Sequence, residues 1–291
     1  MLEPVVPVWC RKTFSVVRGD NVEKLIISAA VVGAELTKKE TPYLPLTPSD
    51  IAEEACRCYE AGAVIIHLHA RDREGQPTQD AAVYKEIISL IKERCNPIIQ
   101  ISTGGAIGMT AEERLVPLKL KPDMASLTVG TINFGDDVFY NSPKMIVQFA
   151  AAMKEAAIKP EFEVFDVSMV TNVRRLAKQG LIKTPFHFDF VLGVPGGIPA
   201  TIKNLLFLQE SLPEGSTWSA AGIGRHQLPM ACSAILLGGH SRVGLEDNIY
   251  YRKGELAQGN VPLVKRVVRL ANELNREVAN VDEARRILGL L

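Results

Sequence analysis

The sequence predicts an α/β protein folded as a (β/α)8, or TIM, barrel, and three observations carry that prediction. Eight β-rich stretches alternate with helix-like ones along nearly the whole chain. No change of composition and no Gly/Ser-rich linker divides the 291 residues, so one domain over 1–291 is expected. No Gly-x-Gly-x-x-Gly follows the first strand, where the chain reads Val32-Gly33-Ala34-Glu35-Leu36-Thr37. That weighs against the main competitor, a doubly wound open sheet.

After a leader over 1–23, strands are expected at 24–31, 64–70, 98–103, 124–130, 160–166, 186–193, 218–224 and 241–246. Helices are expected at 49–61, 80–94, 111–118, 143–157, 167–179, 198–211, 227–237 and 262–275. Thr47-Pro48-Ser49-Asp50 supplies capping chemistry for the first helix, and Gly62 and Gly180 suit helix stops. The extension over 276–291 carries a short extra helix from Val281 that suits packing or oligomer formation.

The 33 basic side chains balance the 33 acidic ones, which argues against nucleic acid or an acidic membrane surface as partner. No apolar run approaches the ~20 residues that span a bilayer, and Met1 to Arg11 lacks the pattern of a signal peptide. The five cysteines, Cys10, Cys56, Cys58, Cys95 and Cys232, are too scattered for a disulfide framework. Cys56 and Cys58 fall in a helix, where an i,i+2 pair splays across different faces, and read as reduced thiols on or near its surface. A cytoplasmic location follows as an expectation.

The chemistry begins at His67-Leu68-His69-Ala70-Arg71-Asp72, which closes the apolar run Ala63-Val64-Ile65-Ile66. Strand alternation puts His67, His69 and Arg71 on one face, so the two imidazoles can reach one metal ion, with zinc the commonest choice where no redox chemistry is implied. Barrels gather catalytic groups at the C-terminal ends of their strands. Sorting by that rule collects Glu35 after strand one and His67 and His69 on strand two. It adds Thr103 with Gly104-Gly105 after strand three, Ser126 and Thr128 on strand four, and Glu161 and Glu163 on strand five. Arg242, Glu246 and Asp247 lie on or after strand eight. Glu246 is the best third metal ligand, completing a two-His-one-carboxylate set with open positions. A carboxylate such as Glu163 facing a barrel interior needs a partner or a task.

Three further histidines carry less weight. His187, flanked by Phe186, Phe188 and Phe190, reads as a packed histidine; His226 sits in a glycine-bearing loop beside a pocket; His240 opens a strand on the stability face. The loops Val194-Pro195-Gly196-Gly197-Ile198 and Gly222–Gln227 read as turns, with phosphate binding through their backbone amides as the alternative.

An ordered set of motifs then resembles one family. Val32-Gly33-Ala34, Pro42-x-Leu44-Pro45-x-Thr47-Pro48, Glu60-Ala61-Gly62-Ala63 and His67-x-His69-x-Arg71 are similar to the β-keto acid cleavage enzymes. Ser102-Thr103-Gly104-Gly105, Ile132-Asn133-Phe134-Gly135 and Gly244-Leu245-Glu246-Asp247-Asn248 continue the match. The resemblance implies a barrel with one Zn2+ per chain. Such an enzyme transfers an acyl unit between a β-keto acid and acetyl-CoA, releasing acetoacetate and a new acyl-CoA. It further implies His67, His69 and Glu246 as metal ligands, an Arg242–Asp247 dyad that activates substrate with Glu35 nearby, and Thr103 as a hydroxyl donor. Ser126 or Thr128, together with Gly104 and Gly105, would contact substrate. Glu163, with Glu161 as fallback, would meet a substrate amino group. A homo-oligomer, favoured as a tetramer, is implied too.

On this reading zinc polarises the ketone, Asp247 generates a carbanion equivalent of acetyl-CoA, and Thr103 steadies the developing alkoxide. CoA then moves to the new acyl group as the carbon–carbon bond breaks. The alternatives are a metal-dependent hydrolase of the amidohydrolase type and a non-catalytic metal- or CoA-binding barrel.

Overall fold

A computed structural model describes residues 23–290; Cys10 and nearly all of the expected leader lie outside the described residues. Eight parallel strands close into a barrel in chain order: β1 (Ile27–Ala30), β2 (Ile65–Leu68), β3 (Ile98–Ile101), β4 (Met124–Thr128), β5 (Lys159–Val164), β6 (His187–Leu192), β7 (Thr217–Gly222) and β8 (His240–Val243). β8 returns to β1 with Ser28 opposite Arg242. The connecting helices are α1 (Pro48–Glu60), α2 (Ala81–Lys92), α3 (Ala111–Leu115), α4 (Pro143–Glu155), α5 (Met169–Lys178), α6 (Ile202–Glu210), α7 (Gln227–Leu236) and α8 (Val261–Glu273), followed by α9 (Val281–Leu288). The expected barrel is therefore the observed one. Thr47 and Asp50 form a reciprocal capping box at the start of α1, each satisfying a backbone N–H that the helix leaves free.

Strands β2, β3 and β8 end earlier than the residue pattern suggests, because the chain leaves the sheet there to build the mouth. Three short hairpins found only in the structure line that end: Ala70–Arg71 with Pro77–Thr78 after β2, Ile132–Phe134 with Asp137–Phe139 after β4, and Tyr250–Arg252 with Glu255–Leu256 after β8. Their strands of two or three residues are too short to show an alternating pattern.

Inside the barrel, register sorts the side chains into levels. Ile65, Ile98 and Met124 join Ala284 and Leu288 of α9 in one buried apolar cluster, so α9 packs across the bottom of the barrel. Above them the interior turns polar. Ladder neighbours pair His67 with Gln100, Ser126 with Glu161, Glu161 with His187, and Glu163 with Asp189, all buried. Barrel interiors are ordinarily filled by branched apolar side chains, so this departure marks where function displaces packing. The outer faces of the strands pack against the helices in two large apolar clusters.

Cys56 and Cys58 correct a sequence expectation. They do point in different directions, but α1 is covered on both sides, and each is fully buried. Cys56 meets Cys95, Sγ to Sγ 3.0 Å, while Cys58 sits in the core cluster shared by α1 and β1.

The turn after β8 is seated on β1. The Ala30 carbonyl accepts from the Glu246 N–H at 3.2 Å, and Gly244, with φ +154°, passes so close that a Cβ there would lie 2.0 Å from that same oxygen. Gly244→Ala is expected to lower stability by about 1–3 kcal/mol through strain in this turn, read as a shifted denaturation midpoint. An unchanged midpoint would mean that the turn has room to relax.

Candidate active site

A cavity of about 550 Å³ opens at the C-terminal mouth, lined by Glu35, His69, Ser102, Gly104, Gly105, Glu163, Arg242, Glu246 and Asp247 among others. Its apolar walls come from Phe134 and Phe139 of the second hairpin, Phe165, Val191, Val194 and Ile223. The sequence rule of strand ends thus brings most of the expected residues to one place.

His67 is the penultimate residue of β2, and His69 follows directly after its end, with ring centroids 5.5 Å apart. Their Nε2 atoms lie 3.6 Å and 3.7 Å from the two oxygens of Glu246, and one donor atom from each of the three falls within 4.8 Å of the others. Burial, with the charge of Arg242, lowers both imidazole pKa values, His67 well below the usual range and His69 to about 3. Both rings are therefore neutral, the form that binds metal. His67 Nε2 and Glu246 Oε2 are buried with no hydrogen-bond partner, an arrangement costly in a closed core. A divalent cation among the three residues would satisfy both atoms at once, so the donor set fits a metal and leaves positions open toward the cavity.

Arg242, almost fully buried, organises the rest. Its Nε and Nη2 donate to the two oxygens of Asp247 at 3.1 and 3.0 Å, a bidentate pair. Nη2 also donates to Glu246 Oε1, while Nη1 faces Asp189 at 3.5 Å and Glu163 at 3.6 Å. Burial opposes its charge, yet Asp247, Glu246 and Asp189 raise its pKa well above the ordinary value. Burial likewise raises Glu35, Glu163, Asp189 and Glu246, the last two strongly. Carboxylates outnumber cations here, a second reason that a divalent ion fits.

Several expectations are refined by the geometry. Thr103 does not face the cavity: its hydroxyl donates to the Ser126 carbonyl at 2.6 Å, because it lies on the opposite parity from Gln100. Ser102 takes the cavity position instead, its Oγ accepting from the Gly104 N–H at 3.1 Å and leaving its own proton to donate. Thr128 donates to Glu163 Oε2 at 2.5 Å, and Ser126 Oγ accepts from the Thr103 N–H. Both are buried behind the cavity wall rather than on it. Glu161 points deeper, to His187 at 3.1 Å. His187, bonded to Thr217 as well, is the packed histidine expected, and His240 accepts from the Ile26 N–H on the stability face. His226 packs against Gly193 and is not among the cavity's lining residues.

The glycine loops are turns. The N–H groups of Gly193, Gly197 and Gly224 donate to the carbonyls of Ile198, Val194 and Asp247 and are not free for a phosphate. The sequence reading gave no role to Ser102, although it lies in one of the quoted motifs, and passed over Gln100 and Asp189. Strand parity with His67 and Glu163 across the ladder is the signal that finds them, and it becomes usable only once the register is known.

A family model for the beta-keto acid cleavage enzymes matches residues 24–290. The chain belongs to that family. It is 54% identical over 271 residues to the 3-keto-5-aminohexanoate cleavage enzyme of Fusobacterium nucleatum, covering 92% of this chain and 99% of that protein. It is 40% identical over 269 residues to the 3-oxoadipate:acetyl-CoA acetyltransferase of Cupriavidus necator, covering 91% and 94%. Among solved structures, apo ObcA superposes with a TM-score of 0.77 at 23% identity, covering 85% of this chain and 66% of that one; this likeness concerns the fold. Family membership makes the chain an enzyme of the acyltransferase class and displaces the hydrolase alternative.

Replacing both histidines, His67→Ala with His69→Ala, is expected to abolish bound metal and activity while the far-ultraviolet circular dichroism persists. Elemental analysis showing a full equivalent of zinc in the double variant would remove these residues from the site.

Proposed function

We propose that this chain exchanges acyl groups between a β-keto acid with a cationic far end and acetyl-CoA, giving acetoacetate and a new acyl-CoA, with zinc held by His67, His69 and Glu246. The observation that carries the proposal is the bidentate Arg242–Asp247 pair set beside that metal triplet in one cavity. Bound there, the cation would act as a Lewis acid toward the carboxylate and ketone oxygens of the keto acid.

Carbon accounting reverses the direction of attack inferred from sequence. Acetoacetate keeps the carboxymethyl unit of the keto acid and gains the acetyl of the thioester, so the nucleophile is the methylene carbon between ketone and carboxylate. Asp247, held in orientation by Arg242, removes a proton from that carbon. The carbanion bonds to the thioester carbonyl carbon, and the CoA thiolate leaves it. The thiolate then bonds to the original ketone carbon. The bond from that carbon to the methylene breaks, its electron pair staying with the acetoacetate fragment, which takes the proton back from Asp247. Ser102 replaces Thr103 as the hydroxyl donor toward developing oxyanion charge. Glu35, on the cavity wall beside the metal triplet, is the reserve base, and Gly104 and Gly105 let substrate approach the backbone closely.

Two observations support a cationic substrate. Glu163 lines the same cavity, with Thr128 and Arg242 as its partners. The relative at 54% identity is named for a keto acid bearing an amino group, whereas the one at 40% is named for a dicarboxylate. A cytoplasmic location accords with the free thiols, none in a disulfide, of Cys56, Cys58, Cys95 and Cys232; among the described residues no helix is long and apolar enough to cross a membrane. A homo-oligomer, as a tetramer, accords with exposed Ile202 and Phe207 on α6 and Leu228 and Leu236 on α7.

The test is a screen of β-keto acids with purified enzyme and acetyl-CoA, reading acetoacetate release; no release from any of them would leave a non-catalytic barrel. Asp247→Asn is expected to retain zinc and lose about 10²–10⁴-fold in turnover, and near-normal turnover would move the base to Glu35. For Glu163→Gln, the loss of a charged hydrogen bond of about 1.5–3 kcal/mol predicts roughly a 10- to 150-fold fall in kcat/KM for a cationic keto acid. A neutral keto acid is expected to be almost unaffected, and equal losses on both would assign Glu163 to the general chemistry.

A further inference from the structure

The metal triplet does not stand alone in the barrel. Behind it, away from the cavity, a line of buried polar side chains runs through the middle level. His67 Nδ1 lies 2.6 Å from Gln100 Oε1, and both residues are fully buried. The Gln100 amide faces the carboxylate of Glu161, its Nε2 buried without a hydrogen-bond partner, and Glu161 lies 3.1 Å from His187 Nε2. His187 Nδ1 lies 2.8 Å from Thr217 Oγ1. None of Gln100, Glu161 and His187 lines the cavity.

We propose that Gln100 and Glu161 are positioning residues for the metal site: Gln100 fixes the tautomer and orientation of His67, and Glu161 fixes which way the Gln100 amide points. The argument rests on which atoms can donate. An amide oxygen only accepts, so His67 carries its proton on Nδ1 and turns a lone pair at Nε2 toward Glu246. This is the buried Nε2 that has no protein partner. The two ends of an amide are nearly the same size, and nothing at His67 itself prevents Gln100 from turning over. Turned over, its NH2 would face Nδ1, the imidazole proton would move to Nε2, and the ligand position would be blocked. Glu161 opposes this, because an ionised carboxylate repels the amide oxygen and attracts the NH2 end. Its ionised state is favoured despite burial by the nearness of His187 and the charge of Arg242.

The relay has a second effect. Histidine ligands commonly donate to a carboxylate, which makes the ring a more basic ligand. Here a neutral amide stands between, and the carboxylate is held one residue further away. The ring is oriented without that added electron donation, and a cation held there would remain a stronger Lewis acid toward a ketone.

This inference rests on the proposed metal site, and the experiment separates the two. Zinc affinity is measured by competition with a chromogenic chelator, alongside the visible spectrum of the Co2+-loaded protein and long-range proton–nitrogen spectra of the His67 ring in the metal-free protein. Gln100→Leu is expected to weaken zinc binding by about 10- to 100-fold and to populate both His67 tautomers. Gln100→Glu is expected to keep the wild-type tautomer and hold zinc at least as tightly, while kcat falls with little change in KM. Glu161→Gln should weaken binding, and the exchanged pair, Gln100→Glu with Glu161→Gln, should restore it, which a merely space-filling role would not do. The exchanged pair decides the matter if Gln100→Leu fails to fold. Wild-type zinc affinity, cobalt spectrum and tautomer in Gln100→Leu would overturn the relay alone, as would an exchanged pair no tighter than Glu161→Gln. Absence of zinc and cobalt binding in the wild-type protein would overturn the site and the relay together.

Discussion

One buried cation holds the mouth of this barrel together. Arg242 reaches Asp247, Glu246, Glu163 and Asp189 from a side chain that is almost wholly excluded from water. Four carboxylates brought this close would repel one another strongly in a low-dielectric interior, and breaking one buried pair of this kind costs about 3–5 kcal/mol. The same charge lowers the pKa of both His67 and His69. A single guanidinium therefore orients Asp247, offsets the repulsion among the carboxylates and adds to the effect of burial in lowering the imidazole pKa values. Lysine could not substitute, because a point charge with a short reach cannot satisfy Asp247 in two-pronged fashion while touching three other groups.

Much of this was legible in the residues. Eight alternations of apolar strand and helix are a strong signal because each strand must be covered on its outer face, and the structure closes them in chain order. Strand parity placed His67 and His69 on one face, and the strand-end rule added Glu246, Asp247 and Arg242, which do converge. What could not be read is what depends on register between strands. Ser102 and Thr103 are adjacent in sequence, and only the ladder that aligns Gln100 with His67 shows which of them turns inward. Cys56 was misjudged for a related reason: helix geometry gives direction but not what lies opposite, and here α2 does. The mouth hairpins were invisible because their strands are shorter than one alternation.

The polar interior comes at the expense of ordinary packing. A carboxylate at the Glu161 position is tolerable because His187 lies 3.1 Å away and the charge of Arg242 favours it, and Asp189 because Ser219 donates to it at 2.6 Å beside Arg242. Such networks leave little freedom for single changes, since each loss strands a partner in a place that water does not reach. Apolar packing is correspondingly concentrated outside the strands, where two large clusters supply the burial that the interior forgoes.

The helix beneath the barrel has a kinetic consequence. With Ala284 and Leu288 packed against Ile65, Ile98 and Met124, traffic to the deep polar groups passes through the opening at the opposite end. Two reactants must then enter, and two products leave, through one doorway. A small acid seated against His67, His69 and Glu246, the proposed metal ligands, would lie beneath a CoA thioester reaching in from outside. In the proposed reaction the acid would then enter first and the thioester second, and the new thioester would leave before the acetoacetate beneath it. A closed floor would thereby impose a compulsory order of binding and release on that reaction.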